Sequence, residues 1–161
     1  MSEQNQDKHQ QRQQKVKEKV DERIAAAQKE QGIFQVITGN GKGKSTSGFG
    51  TVARAVGHGM KAAVCQFIKG TWECGERNLL EKAGVEFVIM NTGFTWETQN
   101  KESDTAAAQV TWQEAKRMLK DESINLVMLD EITYMITYGY IDLDEVLEAV
   151  SSRPAMQSVI I

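Results

Sequence analysis

The chain has 161 residues, a length that supports one ordinary hydrophobic core and predicts a single main domain. Hydrophobic residues make up 40% of it and charged residues 25%, as in a water-soluble globular protein, and no apolar run approaches the roughly 20 residues of a membrane helix. The net charge of −3 argues against a protein that binds nucleic acid through its phosphates. Composition therefore favours small-molecule ligands.

The cysteines, the histidines and the first residues exclude several other classes. Cys65 lies in an apolar run and Cys74 in a Gly-flanked loop, a pattern that favours reduced thiols over a disulfide framework. His9 and His58 are too scattered to indicate a zinc site. The opening stretch MSEQNQDKHQQRQQ has no apolar segment of signal-peptide type, so we expect a cytoplasmic protein.

The first thirty residues form a separate segment, 1–30, rich in Gln, Lys and Glu. Val16, Val20, Ile24 and Ala27 recur at helical spacing, which predicts a helix from about Gln14 to Lys29 with one thin apolar stripe. An isolated helix of this length is marginal in water. Two interpretations remain open: a frayed, solvated tail, or a helix that lies over a pocket.

Residues 31–161 alternate short apolar runs with longer helical patterns. The predicted strands are Ile33–Ile37, Ala62–Phe67, Val85–Met90, Leu126–Leu129 and Val159–Ile161. The predicted helices are Lys44–Val56, Glu76–Lys82, Thr105–Leu119 and Asp142–Val150. This alternation predicts an α/β fold with a mostly parallel sheet, helices on both faces, and ligands at the carboxyl ends of the strands. Because the sequence stops inside the last predicted strand, we expect a chain truncated at its C-terminus.

The stretch VITGNGKGKSTSGFG, residues 36–50, has the composition of a phosphate-binding loop between a strand and a helix. Its glycines free the backbone N–H groups to converge on an anion, a lysine can neutralise that anion, and a hydroxyl can bind magnesium. The candidate nucleotide-binding residues are Gly39, Asn40, Gly41, Lys42, Gly43, Lys44, Ser45 and Thr46. The loop is a variant, since Thr38 stands where the common spacing has its first glycine.

The stretch INLVMLDEITY places two acids directly after an apolar run. Asp130 and Glu131 at a strand end can hold Mg²⁺, or Mn²⁺, directly and through water, which would complete the metal shell begun by Ser45. The alternative is that the two acids cap the turn that follows. Glu131 is also the one residue of this stretch that could activate a water molecule, since no histidine is placed as a base.

A polar, glycine-containing segment after the third predicted strand carries two large aromatic residues, Phe94 and Trp96. Aromatic side chains without helical or strand periodicity often cover an apolar ligand, and a packed cluster beneath their own loop is an equal alternative. A flat hydrophobic second substrate would favour the first interpretation.

Several of these motifs together resemble one known family. The motifs are TGNGKGKS, GHG, QFIKGTW, GERNLLE, TGFTWETQN and LDEITY. They closely resemble the ATP:corrinoid adenosyltransferases of the enterobacterial type, and the likeness covers nearly the whole chain. The resemblance implies a RecA-like P-loop domain, a homodimer, and transfer of the 5′-deoxyadenosyl group of ATP to the cobalt of a reduced corrinoid with release of triphosphate.

The resemblance also implies roles for individual residues. The loop from Gly39 to Ser45 would surround the triphosphate, Lys44 would balance its developing charge, and Ser45 with Glu131 would hold magnesium. Lys42 suits a highly charged leaving group, and Arg54 is a weaker candidate for a nucleotide contact. Ser45 stands where many relatives have threonine, but it keeps the hydroxyl.

The corrinoid site follows from the same resemblance. Phe94 and Trp96 would pack against the lower face of the corrin and displace its axial ligand, which eases reduction of cob(II) to cob(I). The N-terminal helix would be a lid over this site, and a reduced flavoprotein would supply the electron. The family continues beyond the position of Ile161, which is a second reason to expect truncation.

Two other functions remain compatible with the motifs. One is a P-loop kinase or ATPase with a small substrate, and the other is a non-enzymatic nucleotide-sensing module that docks through its N-terminal helix. The phosphate product separates the kinase or ATPase from the transferase. Loss of corrinoid chemistry on mutation of Phe94 and Trp96 would separate the transferase from the sensor.

Overall fold

The computed structural model describes residues 3–68, 73–90 and 101–161, with side chains from residue 7 onward. The chain divides into two compact units, Met1–Glu30 and Gln31–Ile161. Phe94 and Trp96 lie outside the described residues.

The second unit is built on a parallel sheet whose five described strands are β1 Phe34–Gln35, β2 Ala62–Gln66, β3 Glu86–Ile89, β4 Leu126–Asp130 and β5 Ser158–Ile160. Their spatial order is β1-β5-β4-β2-β3, and every neighbouring pair is parallel. Parallel pairing brings all carboxyl ends to one edge of the sheet, called here the carboxyl edge. The predicted α/β fold is confirmed, and the architecture is consistent with a RecA-like P-loop fold.

The described helices are α1 Glu3–Ala26, α2 Lys44–Gly57, α3 Gly75–Lys82, α4 Lys101–Lys120, α5 Ile132–Thr137 and α6 Leu143–Ser151. Helix α1 begins eleven residues before its predicted start at Gln14 and ends before Lys29. Its first half consists largely of Gln, Glu and Lys, which favour helix without an apolar stripe. The stripe residues Val16, Val20 and Ile24 are exposed.

Two other boundaries also differ from the prediction. Helix α4 begins at Lys101 instead of Thr105, and its first turn carries Glu102 and Asp104, which interact favourably with the helix dipole. Strand β1 is shorter than predicted, although the N–H of Ile37 donates to Ile161 O at 2.7 Å and the N–H of Val159 to Ile33 O at 2.8 Å. Backbone pairing therefore covers the whole predicted span of β1.

Side-chain alternation along the strands creates a core on each face of the sheet. On one face, Val64 and Met128 pack with Phe49 and Val52 of α2 and with Leu80 of α3. On the other face, the strands pack against helices α4, α5 and α6; the buried helix residues include Trp112, Ala115, Met118, Ile132, Met135, Val146 and Val150. The helices thus hold the sheet on both sides and leave the carboxyl edge for ligands. None of the described helices is long and apolar enough to span a membrane.

Candidate functional site

The glycine loop follows β1 and adopts an alternating backbone. Gly39, Gly41 and Gly43 have φ values of 130°, 104° and 100°, whereas the intervening Asn40 and Lys42 are not among the residues with positive φ. A Cβ atom on any of the three glycines would meet no atom within 4 Å, so the backbone conformation, and not crowding, requires glycine. Such alternation directs successive N–H groups into one concavity, which favours an anion.

Helix α2 begins directly after this loop and adds its own donors. Gly43 is the N-cap and provides no side-chain cap, so the first-turn N–H groups face the loop without a side-chain acceptor from that residue. The helix packs closely on the sheet, since a Cβ on Gly48 would lie 2.5 Å from Met128 Cε of β4. The helix N-terminus is therefore held at the carboxyl edge beside β4.

Lys44 and Lys42 supply positive charge at the loop. The Nζ of Lys44 donates a hydrogen bond to the carbonyl oxygen of Gly41 at 2.6 Å, and both lysine side chains are exposed. The ammonium group of Lys44 is thus already held over the concavity of the loop. An anion bound there would meet a cation and a set of backbone donors together.

Asp130 ends β4 and lies beside the start of α2. It is 5% exposed, its Oδ1 accepts a hydrogen bond from Ser45 Oγ at 2.9 Å, and its Oδ2 accepts one from Gln66 Nε2 at 3.1 Å. The structure therefore brings together the hydroxyl and one of the two acids that the sequence predicts as a metal site.

Glu131 follows in an unusual backbone conformation. Its φ of 66° and ψ of 20° place it in the left-handed region, which non-glycine residues seldom adopt, and no other non-glycine residue of the described chain has a positive φ. It occupies the N-cap position of α5, yet its side chain makes no capping hydrogen bond. Glu131 therefore does not cap the helix through its side chain, which was the alternative role. Residues strained in this way cluster at functional sites.

These residues surround a cavity of about 480 Å³ at the carboxyl edge. Its polar side is formed by the glycine loop, Lys44, Ser45, Asp130 and Glu131, and Tyr134 of α5 also lines it. Within the described chain, no three side chains of His, Cys, Asp or Glu form a group that could enclose a metal ion by themselves. The oxygen donors instead suit Mg²⁺, which usually takes one or two protein oxygens and completes its shell with phosphate oxygens and water.

Arg54 is not brought to this cavity. It lies ten residues after Lys44 on α2, about 15 Å along the helix axis. There it lines a second cavity of about 200 Å³ together with His58 and Asn125, at the opposite edge of the sheet.

Sequence reasoning missed one residue that lines the cavity, Tyr134, and one that hydrogen-bonds to its lining, Gln66. Tyr134 was not singled out because its helix, α5, was not predicted. Gln66 had a visible signal, since it is the polar end of the otherwise apolar strand AAVCQ. Cys65, next to it, points to the other face, where burial raises the pKa of its thiol to about 12 and where its Sγ contacts Met118 Sδ at 3.5 Å. That thiol is a packing residue and is not part of the site.

Known proteins resemble this chain over almost its whole length. A sequence profile described as ATP:corrinoid adenosyltransferase BtuR/CobO/CobP matches residues 30–161, and one described as Cob(I)alamin adenosyltransferase N terminal matches residues 1–24. The corrinoid adenosyltransferase of Escherichia coli strain K12 is 64% identical over 155 residues, which are 96% of this chain and 79% of that protein.

Two further relatives agree with this result. The corrinoid adenosyltransferase CobA of Salmonella typhimurium strain LT2 is 62% identical over 155 residues, again 96% of this chain and 79% of the relative. The corrinoid adenosyltransferase of Pseudomonas aeruginosa is 46% identical over 156 residues, or 96% of this chain and 77% of the relative. The chain belongs to the ATP:corrinoid adenosyltransferase family, as the resemblance of its six motifs, from TGNGKGKS to LDEITY, predicted.

Proposed function

We propose that the protein transfers the 5′-deoxyadenosyl group of ATP to the cobalt of a reduced corrinoid, in the synthesis or salvage of adenosylcobalamin. The match of residues 30–161 to the ATP:corrinoid adenosyltransferase family is the observation that carries this proposal. The anion-binding loop and the neighbouring carboxylate are the features that such a reaction needs in the part of the site that binds ATP.

The loop from Gly39 to Ser45, with Asn40 and Thr46, would bind the triphosphate of ATP. Its alternating backbone and the N-terminus of α2 provide donors, and Lys44 provides a charge that is already positioned over the loop. Lys42 adds a second cation, which suits a leaving group with several negative charges. Because the whole triphosphate departs, stabilising its charge lowers the barrier directly.

A divalent cation, Mg²⁺ or Mn²⁺, would be held by Ser45, Asp130 and Glu131. The hydrogen bond of 2.9 Å between Ser45 Oγ and Asp130 Oδ1 keeps two oxygen donors side by side, a donor set that fits either ion. When bound, the ion would help to neutralise the departing triphosphate.

The reaction needs no protein base. The electron pair of cobalt in the cob(I) state would attack the 5′ carbon of ATP, a cobalt–carbon bond would form, and the bond from that carbon to the triphosphate oxygen would break. The triphosphate leaves with the bonding electrons, and the cobalt is formally oxidised by two electrons. No proton is removed from the nucleophile, so this reaction assigns no residue of the site the role of a base.

The remaining roles rest on the family resemblance. Phe94 and Trp96 would pack against the lower face of the corrin, displace its axial ligand and exclude water during reduction. The unit Met1–Glu30 would act as a lid over the corrinoid, a homodimer would be the assembled form, and a reduced flavoprotein in the cytoplasm would supply the electron. Arg54 would contact a nucleotide only if the ATP in this site, or an ATP bound to a neighbouring subunit, reached the far end of α2.

Product analysis tests this function. Purified protein is incubated anaerobically with ATP, Mg²⁺ and a chemically reduced corrinoid, and the visible spectrum and released phosphates are followed. A light-sensitive adenosylcorrinoid formed with one triphosphate per turnover is the expected result, and Lys44→Ala is the control with reduced turnover. Release of orthophosphate without corrinoid would contradict the proposal and favour a kinase or an ATPase.

A further inference from the structure

The second strand of the sheet ends in a buried glutamine whose side chain faces the nucleotide site. Gln66 is 0% exposed, and it follows four apolar residues in β2. It is in register with Asp130 of β4, so the two side chains project from the same face of the sheet. A primary amide in this position needs a physical reason, because burying it without full hydrogen bonding destabilises the fold.

The hydrogen bonds of Gln66 show where its amide acts. Its Nε2 donates to Asp130 Oδ2 at 3.1 Å, while Oε1 is buried and has no hydrogen-bond partner among the described residues. The reverse orientation of the amide would place Oε1 against a carboxylate oxygen, so the presence of Asp130 determines which way the amide points. Gln66 thus gives up one hydrogen bond and keeps the one to the site carboxylate.

A second buried glutamine shows what a purely structural amide looks like in this fold. Gln157 is 1% exposed, and its Nε2 donates to the backbone oxygens of Met118, Asp121 and Ile124 at 3.0, 3.1 and 3.1 Å. It lies just before β5, at the edge of the sheet opposite to the nucleotide site. Both glutamines are buried and both leave Oε1 without a partner in the described chain, but only Gln66 binds a residue of the candidate site.

We propose that Gln66 is a positioning residue that fixes the carboxylate of Asp130 for the divalent cation. Ser45 holds Oδ1 and Gln66 holds Oδ2, so rotation about the Cβ–Cγ bond of Asp130 would break both hydrogen bonds. A carboxylate fixed in this way presents its remaining lone pairs in one direction, which is how groups around a ligand increase metal affinity. This inference rests on the proposed function, since it assumes that Asp130 contributes to the cation site.

Backbone hydrogen bonds also connect the end of β2, at Gln66, to the ends of β3 and β4 on the carboxyl edge. Gln66 O accepts a hydrogen bond from the N–H of Met90 at 2.9 Å, and the N–H of Phe67 donates to Asp130 O at 3.1 Å. The ends of β2, β3 and β4 are therefore joined around Gln66. Its side chain can be changed without removing either backbone bond, which makes substitution a clean test of the amide.

The test measures Mn²⁺ binding in the presence of ATP, using the electron paramagnetic resonance signal of free Mn²⁺, together with ATP binding in EDTA. Gln66→Met preserves the length of the side chain and removes the donor. We expect its Mn²⁺ dissociation constant to rise about tenfold, as for the loss of other groups that orient a metal ligand. ATP binding in EDTA should change less than about twofold.

The matched control is Gln157→Met, which should lower the thermal stability and leave the Mn²⁺ dissociation constant unchanged. A double-mutant cycle adds a criterion that a general loss of stability would not meet: in an Asp130→Asn background, Gln66→Met should have no further effect on Mn²⁺ binding. If Gln66→Met does not fold, Gln66→Asn, which keeps an amide but shortens its reach, is measured in the same way.

The outcomes distinguish this inference from the proposed function. Tight Mn²⁺ binding by the unmodified protein, weakened in Asp130→Asn but unchanged in Gln66→Met and Gln66→Asn, would overturn the role of Gln66 alone. Equal effects of Gln66→Met and Gln157→Met would also overturn it. If Asp130→Asn left Mn²⁺ binding unchanged, the proposed cation site would fail, and the positioning role would fail with it.

Discussion

Lys44 shows how a single side chain can be positioned before any ligand is bound. Its Nζ donates to the Gly41 carbonyl at 2.6 Å, a bond that keeps the ammonium group above the loop. The lysine therefore has little rotamer freedom left to lose when a phosphate binds, although it exchanges one acceptor for another. The same residue is exposed, so it contributes little to the core.

Replacing Lys44 with alanine should therefore weaken ATP binding and leave folding intact. A hydrogen bond to a charged group contributes about 1.5–3 kcal/mol, so we expect the ATP dissociation constant to rise about 10- to 150-fold. Calorimetric titration with ATP and Mg²⁺ measures it. Lys61→Ala is the control, since this exposed lysine lies just before β2. Its Nζ donates a hydrogen bond to Ser123 Oγ at 2.9 Å. Equal losses in the two variants would contradict the assignment.

The positive φ of Glu131 can be tested apart from its side chain. Glu131→Ala and Glu131→Gly both remove the carboxylate, but only glycine adopts a φ of 66° without strain. We expect the glycine variant to be more stable than the alanine variant by about 1 kcal/mol in urea denaturation. At Glu148, inside α6, the same pair should show the opposite order. Equal stabilities at position 131 would show that the backbone there is not strained.

At the scale of elements, the helices behind the sheet are joined by a polar contact as well as by their core. Lys116 of α4 donates to Glu145 Oε1 of α6 at 2.6 Å. This hydrogen bond is the main cause that lowers the pKa of the Glu145 carboxyl below its ordinary value. The two helices also meet through buried apolar residues, among them Trp112 and Val146.

The lowered pKa predicts a direction for the pH dependence of stability. A carboxyl whose pKa is lower in the folded state stabilises the protein above its unfolded pKa, about 4.3, and that stabilisation is lost as the pH falls through the folded value. Lys116→Met should therefore reduce stability at pH 7 by less than about 1 kcal/mol, because Glu145 is partly exposed, and by a smaller amount at pH 3. Urea denaturation at both pH values measures this. A loss that is equal at both pH values would show that the contact acts by packing alone.

The elements also differ in how well the sequence predicts them. The strands and α2 follow from apolar runs and from the glycine loop, which carry strong local signals. Helix α5 was missed because ITYMIT is short and rich in β-branched and aromatic residues, which are poor helix formers, so tertiary packing of Ile132 and Met135 decides its conformation. The distance of Arg54 from the loop follows from helix geometry and could be predicted. The contact of Gln66 with Asp130 depends on which strands are neighbours in the sheet, and no local sequence pattern predicts that order.

At the scale of the whole molecule, the two units differ in what holds them together. Every buried apolar residue of the described chain lies between Phe49 and Ile160, in the unit Gln31–Ile161. The helix of the unit Met1–Glu30 has only exposed side chains among those described. The stability of the fold is therefore expected to come from the second unit.

Removal of residues 1–30 should leave this second unit folded. We expect its Tm to change by less than about 3 °C, the shift that about 1 kcal/mol causes in a domain of this size, and its ATP affinity to stay within about twofold. If the first unit is a lid, the rate of corrinoid adenosylation should fall while ATP still binds. Calorimetry and the anaerobic assay measure these quantities. A large loss of Tm would show that the units stabilise each other.

The order of the strands constrains when the nucleotide site can form during synthesis. Strand β1, which leads into the glycine loop, pairs with β5. Where the two strands begin, the N–H of Ile33 donates a hydrogen bond to Ser158 Oγ, 125 positions later in the chain. A nascent chain that has emerged only as far as Glu131 contains the complete loop and both acids, yet it lacks β5, the strand that pairs with β1 in the part of the chain that the structure describes. Strand β1 therefore gains its neighbour only after Ser158–Ile160 have been synthesised, so completion of the glycine loop depends on a strand that begins 125 positions later than Ile33.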